Sequence, residues 1–580
     1  MNPEHFFRSP QHPTQRRYEA LRAFYLEGQT AEQVAARFDY TLSSVYSLTR
    51  DFKQQLNSDV ASEQFFVSPM RGRRAKNDGE ALQTLIVTLR KKYLSVPDIK
   101  AVLDALGKRV SEKYVYQVID QQGFARLPRR SRTAREQTFD EVKLEAAKAE
   151  LLGDEPETFQ TQNTIGVLCL LPYLQRFGID QLLEHSDYPT TRAIPRLNAL
   201  LSFVALKAAN IRRYTVDDLW CMDRGLGLFA GLNVLPKAAW FSSYSHRVTR
   251  AMNLDLLQRL TALWSAHGLL SDTANLDFTT LPYWGDETHL ENHWSGTRHK
   301  ALASISAALA HDPDSGLITY GDTNVRHDNK AAVAVEFLDF YRRSAHGELK
   351  YVVFDSKFTT YENLARLDDA EIKFVTIRRR GPKIVTRLQG LAKSAWKKIR
   401  VPTSAGRTRV LKALDEQIAP DGYGRKMRQV ALSGHGRERP ALIITNDFEL
   451  DVETLVRKYA RRWLVEKTIS EQIEFFHLNR LSSSMVIKVD FDLTMTLLVH
   501  NLYRLLAADL PGHSHQTAMS LFERFLCNSG DIRITDTQII IEMKKKRHLP
   551  ALLTAMAAFE QQPIPWLGGR ALVFRGASRS

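Results

Sequence analysis

Between residues 272 and 380 short apolar runs alternate with helical stretches, and that alternation confines this part of the chain to an α/β fold. Asn275-Leu276 reads as a strand leading into Asp277, which is followed by Phe278-Thr279-Thr280. Tyr351-Val352-Val353-Phe354 leads in the same way into Asp355. Leu317-Ile318-Thr319-Tyr320 and residues 372–377 read as further strands, and residues 331–343 and the surroundings of Leu364 as helices. Each acid is therefore expected at the end of a buried strand. An unpaired carboxylate is costly there, so a cation or a bound metal belongs beside it. The plain alternative for either residue is a strand-end turn former.

A third acid stands in Tyr459-Ala460-Arg461-Arg462-Trp463-Leu464-Val465-Glu466. Offsets of three and four put Tyr459, Arg462 and Glu466 on one face of a single expected helix. A guanidinium beside a carboxylate suits a site that grips phosphate oxygens while the acid takes a metal ion, although an exposed ion pair is the blander reading. Glu471 and Glu474 follow on the same helix.

Together these segments resemble the DDE transposases of bacterial insertion sequences, in the group whose third acid lies in a Tyr-x2-Arg-x3-Glu-x6-Lys helix. The resemblance spans most of residues 140–510, with Leu276-Asp277-Phe278-Thr279, Val353-Phe354-Asp355-Ser356-Lys357-Phe358 and the Tyr459, Arg462, Glu466 triplet as its motifs. It implies a ribonuclease H-like α/β core, metal-dependent strand cleavage and strand transfer into target DNA, and Asp277, Asp355 and Glu466 as catalytic acids holding Mg2+, with Mn2+ as substitute. Tyr459, Arg462, Trp463 and Lys467 would then lie against phosphate near the cut. The signature lysine position is Ile473 in this chain, and Lys467, Arg480 or Lys488 are the cations that could make its contact. A sequence-specific DNA-binding regulator, or an inactive transposase-derived protein, is the alternative and needs only the N-terminal segments.

With 580 residues and 44% hydrophobic content the chain is expected to hold several domains, and a formal charge of +15 points to an anionic partner, nucleic acid ahead of membrane. Its three cysteines are too scattered for a disulfide framework or a thiolate zinc site, which fits a reducing, cytoplasmic and nucleoid-associated location. The expected start lacks a secretory signal, and apolar stretches are too short for a bilayer span.

Residues 1–60 read as a helix-turn-helix. Thr30 caps a helix carrying Val34, Ala35 and Phe38, and Leu42, Val45 and Leu48 mark the inner face of the next. Ser43, Ser44, Tyr46, Ser47 and Arg50 face the other way, toward a major groove or simply toward solvent. Residues 61–138 read as a second such unit, with Lys113, Tyr114 and Gln117 on its reading face. Two basic arms flank it: Arg71, Arg73 and Arg74, then Arg126, Arg129, Arg130, Arg132 and Arg135.

Residues 139–271 are expected to be a helical domain, 272–380 the first part of the core, 381–446 a β-rich insertion, 447–510 the signature helix and its successor, and 511–580 a C-terminal α/β region. Arg378, Arg379, Arg380, Lys397 and Lys398, with Trp396 among them, suit a surface that tracks a nucleic-acid backbone and stacks a base. The partner expected throughout is double-stranded DNA, both element ends and target, bound by a homodimer or higher oligomer. His289 and His293 at helical spacing raise zinc, but Glu291 is misplaced for the protease motif, Trp294 crowds the segment, and a surface helix or loop is preferred.

Overall fold

The computed structural model describes residues 7, 10, 12–56, 79–91, 94–124, 127, 157–212, 219–284, 289–295, 299–344, 349–356, 360–402, 408–436, 439–480 and 485–577. The chain divides into two compact units, Met1–Leu82 and Gln83–Ser580.

The first unit is built on α1 (Pro13–Tyr25), α2 (Ala31–Phe38) and α3 (Leu42–Leu56). Thr30 caps α2 in a reciprocal capping box with Gln33, and Asp39 takes the left-handed turn that separates α2 from α3. Val34, Phe38 and Val45 form the core between them, with Leu48 partly buried against it. Leu42 departs from expectation. It is 41% exposed, because it opens the first turn of α3 and lies beyond the reach of that core.

The second unit begins in α4 (Gly79–Lys91) and continues through α5 (Val96–Ala105) and α6 (Glu112–Gln121). Ser95 and Ser111 cap α5 and α6, and Gly107 takes a positive φ of 73° between them. The stretch expected to be wholly helical instead opens with a strand, β1 (Glu157–Thr161). It pairs antiparallel with β12 (Gly530–Ile534) in a five-stranded sheet of order β1-β12-β13-β15-β14, which takes in β13 (Gln538–Met543), β14 (Pro563–Ile564) and β15 (Arg570–Gly576). The run Glu-Thr-Phe-Gln-Thr has little apolar pattern to announce a strand. Backbone pairing to β12 is what holds it. Helices α7 (Arg196–Ala208) and α8 (Arg250–Ala266) follow, and side chains from residues 165–264 and 518–574 share one hydrophobic core.

The larger sheet runs in the order β3-β4-β2-β6-β7-β11-β10-β9-β8, with β5 also paired to β4. Its first part is β2 (Thr273–Pro282), β3 (Asn292–Ser295), β4 (Lys300–His311), β5 (Ile318–Val325), β6 (Tyr351–Val353) and β7 (Lys373–Ile377). Strands β2, β6 and β7 are mutually parallel, whereas β4 is antiparallel to both β2 and β5. Helices α9 (Val333–Ser344) and α10 (Tyr361–Asp369) lie in the crossovers. The strands of residues 397–445, namely β8 (Lys397–Pro402), β9 (Thr408–Ile418), β10 (Met427–Ser433) and β11 (Ala441–Thr445), extend this same sheet, because β11 pairs directly with β7.

After the sheet come α11 (Val452–Ala460), α12 (Trp463–Glu474) and α13 (Val486–Asp509). The single helix expected across Tyr459 and Glu466 is thus two helices, parted at Arg461 and Arg462. Both of those residues keep right-handed helical dihedrals, so the break is a small one, and no glycine or proline marks it. Helix α13 is apolar almost all round for a physical reason. Leu498 and Leu502 face one core, Leu493 and Leu497 the other. A Cβ on Gly321 of β5 would come within 2.6 Å of Leu497, so glycine there lets the strand lie against the helix. Arg250 of α8 joins the layers, reaching Asp322 of β5 at 2.8 Å and Asp490 of α13 at 2.7 Å. Among the described residues no helix is long and apolar enough to cross a membrane.

Candidate active site: three acids and an arginine

Strand register sets the first two acids. Parallel pairing of β2 with β6 ends at Asn275 opposite Val353. Asp277 and Asp355 each lie two residues beyond that last pair, and alternation along an extended chain brings both to the same level past the carboxyl ends of parallel strands. Such ends are where open α/β sheets bind ligands. Asp277 itself differs from expectation in lying in the middle of β2, since β2 runs on to Pro282 by pairing with β4 alone. Asp355 lies two residues past the end of β6, and its Oδ1 accepts the Ser356 amide at 2.7 Å.

The third acid arrives from α12. Arg462, at the break before that helix, donates from Nη1 to Asp277 Oδ2 at 2.8 Å and from Nη2 to Glu466 Oε1. Its guanidinium also lies 5.7 Å from the ring centre of Tyr459. The Asp277 and Arg462 side chains are only 16% and 15% exposed, while the Glu466 side chain is 55% exposed.

Burial pushes the Asp277 carboxyl up to about 6. Arg462 and the Phe278 amide oppose that shift, and the charges of Glu466 and Asp355 add to it. Burial disfavours the Arg462 cation, yet Asp277, Tyr459 and Glu466 outweigh it and hold its pKa above the ordinary value. Tyr459 is raised by burial, against Arg462, with Asp355 and Glu466 adding to the rise. Asp277 and Tyr459 thus each lie in the field of Arg462, Asp355 and Glu466. When all three acids are ionised they outnumber the one guanidinium by two charges, an excess that suits a divalent cation with oxygen ligands.

The other candidates fall in different places. Trp463 is 46% exposed, and with Lys467 it lines a cleft shared with His311, Glu471, His500 and Arg504. Glu471 is half-buried, accepts the Ala518 amide at 3.2 Å and is raised in pKa by loss of solvent, while Glu474 is exposed. Ile473 packs against the sheet core. Of the proposed substitutes for the signature lysine, Arg480 is exposed and Lys488 donates to Ser242 at 3.3 Å.

On α3, Ser43, Ser44, Tyr46, Ser47 and Arg50 are all exposed. On α6, Lys113 and Gln117 are exposed and Tyr114 is half-buried. Arg71, Arg73, Arg74, Arg126, Arg129, Arg130, Arg132 and Arg135 lie outside the described residues, as do Lys357 and Phe358. Arg378 donates to Gln429 at 2.9 Å and Arg380 to the Pro440 carbonyl at 3.1 Å, whereas Arg379, Lys397 and Lys398 are exposed. Trp396 packs against Leu388, Ala431 and Leu442, which leaves less of its face for a base.

Two supporting residues escaped the sequence reading. Asn275 donates from Nδ2 to the Arg461 carbonyl at 3.1 Å, and an amide in an otherwise apolar strand start was its only signal. Lys458 donates to Thr273 at 2.7 Å and lies 3.7 Å from the Tyr351 ring centre, bracing β2 and β6 where they begin.

Residues 276–502 match the family described as the transposase DDE domain. No curated protein matches the chain. Among solved structures, that of a piggyBac transposase synaptic complex with hairpin DNA is similar at 10% identity, covering 62% of this chain and 79% of that chain, with a TM-score of 0.34.

Proposed function

We propose that this chain is a DDE transposase of the bacterial insertion-sequence type, which binds element ends and catalyses metal-dependent strand cleavage and strand transfer into target DNA. The observation that carries the reading is the register of β2 and β6, which brings Asp277 level with Asp355 inside the segment matching the transposase DDE domain. The sheet order β5-β4-β2-β6-β7, with β4 alone running opposite to the other four strands, supports a ribonuclease H-like core.

In this reading Asp277, Asp355 and Glu466 hold Mg2+, with Mn2+ able to replace it. The all-oxygen donor set and its excess of negative charge fit such an ion. Bound there, a divalent ion lowers the cost of charge on the attacking and leaving oxygens of a phosphoryl transfer. Arg462 balances Asp277 and Glu466 and, with Tyr459, Trp463 and Lys467, contacts phosphate beside the cut. The exposed face of α3, the Lys113 and Gln117 face of α6, the arginine arms, and Arg379, Lys397 and Lys398 follow the DNA backbone and grooves. Two element ends call for at least two copies of the chain.

The test is strand cleavage by the full chain on duplex DNA taken from either side of its own coding sequence. Nicking at a fixed position with Mg2+, absent with chelator, is the expected result. Sequence-specific binding with no cleavage under either ion would favour the regulator instead.

A further inference from the structure

We propose a second metal site, distinct from the three carboxylates and built from Glu291, His293 and His327, that takes a borderline transition metal, Zn2+ foremost. The helical face expected for His289 and His293 does not form, because residues 292–295 are strand β3, paired with β4. The chain instead brings a third ligand from elsewhere. Strand β5 pairs with β4 as far as Val325 opposite Ser306, and β3 begins its own pairing at Asn292 opposite Ala303. The turn after β5 therefore meets the start of β3 along β4, and His327 lies in that turn.

One ligand atom from each of the three residues lies within 4.8 Å of the other two. Glu291 Oε2 is 3.5 Å from His293 Nε2, close to the roughly 3.3–3.5 Å between donors of a tetrahedron whose metal bonds are about 2.0–2.1 Å. The same carboxylate accepts the His327 amide at 2.9 Å, and the two imidazole centres are 4.5 Å apart. His293 is buried, so its ring is fixed before any ion arrives. His327 Nε2 lies 3.1 Å from the Asn292 carbonyl, the kind of outer contact that orients a ligating imidazole. Two imidazole nitrogens and one carboxylate oxygen suit Zn2+ with an open fourth position for water, whereas Mg2+ prefers oxygen alone. The donor chemistry thus separates the two sites. Zinc here would clasp the free end of the β3 hairpin to the turn after β5.

The test measures metal content and thermal midpoint on the full chain, loaded with Zn2+ and then desalted. About one zinc per chain is expected in the wild type and in Asp277→Ala, which removes a carboxylate ligand of the other site. His327→Ala should lose the zinc and the zinc-dependent rise in midpoint, and since His327 is exposed the fold should survive the change. Glu291→Gln should weaken retention at least tenfold, and Co2+ in the wild type should give visible bands of tetrahedral type. A wild type that retains no zinc, or a His327→Ala chain that retains as much as the wild type, overturns the proposal.

Discussion

Asn275 of β2 holds the carbonyl of Arg461 at 3.1 Å, tying the strand that carries Asp277 to the point where α11 and α12 part. The bond fixes how far Arg462, one residue on, projects toward Asp277. Asn275→Ala should cost about 1 kcal/mol of stability. Its larger effect should be on cleavage, which is expected to fall roughly tenfold to a hundredfold at unchanged DNA affinity, since small displacements of reacting groups are expensive. A loss of thermal midpoint with full cleavage would make the bond merely structural.

Asp277→Asn and Asp355→Ala should each abolish strand cleavage while leaving DNA binding within about twofold, because acids that hold metal do not read sequence. Gel-shift and nicking assays on the same preparations separate the two effects. Wild-type nicking by either variant would remove that residue from the site.

Three glutamates on α12 have different surroundings and should behave differently. Glu466→Gln keeps the size and a hydrogen-bonding oxygen but removes the charge beside Arg462, and should eliminate cleavage. Glu474→Gln, on an exposed position, should be nearly neutral. Glu471→Gln should shift stability rather than catalysis, since that half-buried side chain accepts the Ala518 amide. Inactivation by the Glu474 change, with Glu466→Gln fully active, would move the third acid to Glu474.

The raised pKa of Asp277 makes metal binding proton-linked. In the metal-free fold this carboxyl titrates near 6, whereas in an unfolded chain it would titrate near about 3.9. The folded state therefore holds the extra proton between those values, and this group's contribution to stability declines as pH rises through the window. A divalent ion must displace the proton, so Mn2+ affinity should fall up to about tenfold per pH unit below about 6 and level off above it. Calorimetric titration in buffers of different ionisation heat would show the released proton. In Asp277→Asn that release should vanish.

At the N-terminal end, Ser44→Glu with Arg50→Glu in the full chain should weaken DNA binding by about tenfold or more and flatten its dependence on salt, because both residues face outward on α3. Fluorescence anisotropy across a salt series checks this. An unchanged slope would mean that α3 does not touch DNA.

The local signals in the sequence were the ones that depend on a few adjacent residues. Thr30 caps its helix where its side chain can reach the third amide, and the alternation of residues 272–380 does give strands and crossover helices. Nothing local told that β2 continues past Asp277, because its last residues are held by β4, which comes later in the chain. The break at Arg461 and Arg462 has no glycine or proline to signal it. His327 could not be joined to His293 from spacing at all, since only the pairing of both β3 and β5 with β4 brings them together.

The pairing of β1 with β12 has a consequence for how the chain is made. A ribosome releases β1 with its polar backbone edge and its side of the helical core long before β12 exists, so this half of the protein waits, partly exposed, for the last segment to emerge. Synthesis that stops short of Gly530 would leave β1 unpaired and the helices around it uncovered. Such a product should be held by chaperones or degraded, and the amount of protein in the cell would then be set by completion of the C-terminal sheet, whatever the state of the acids.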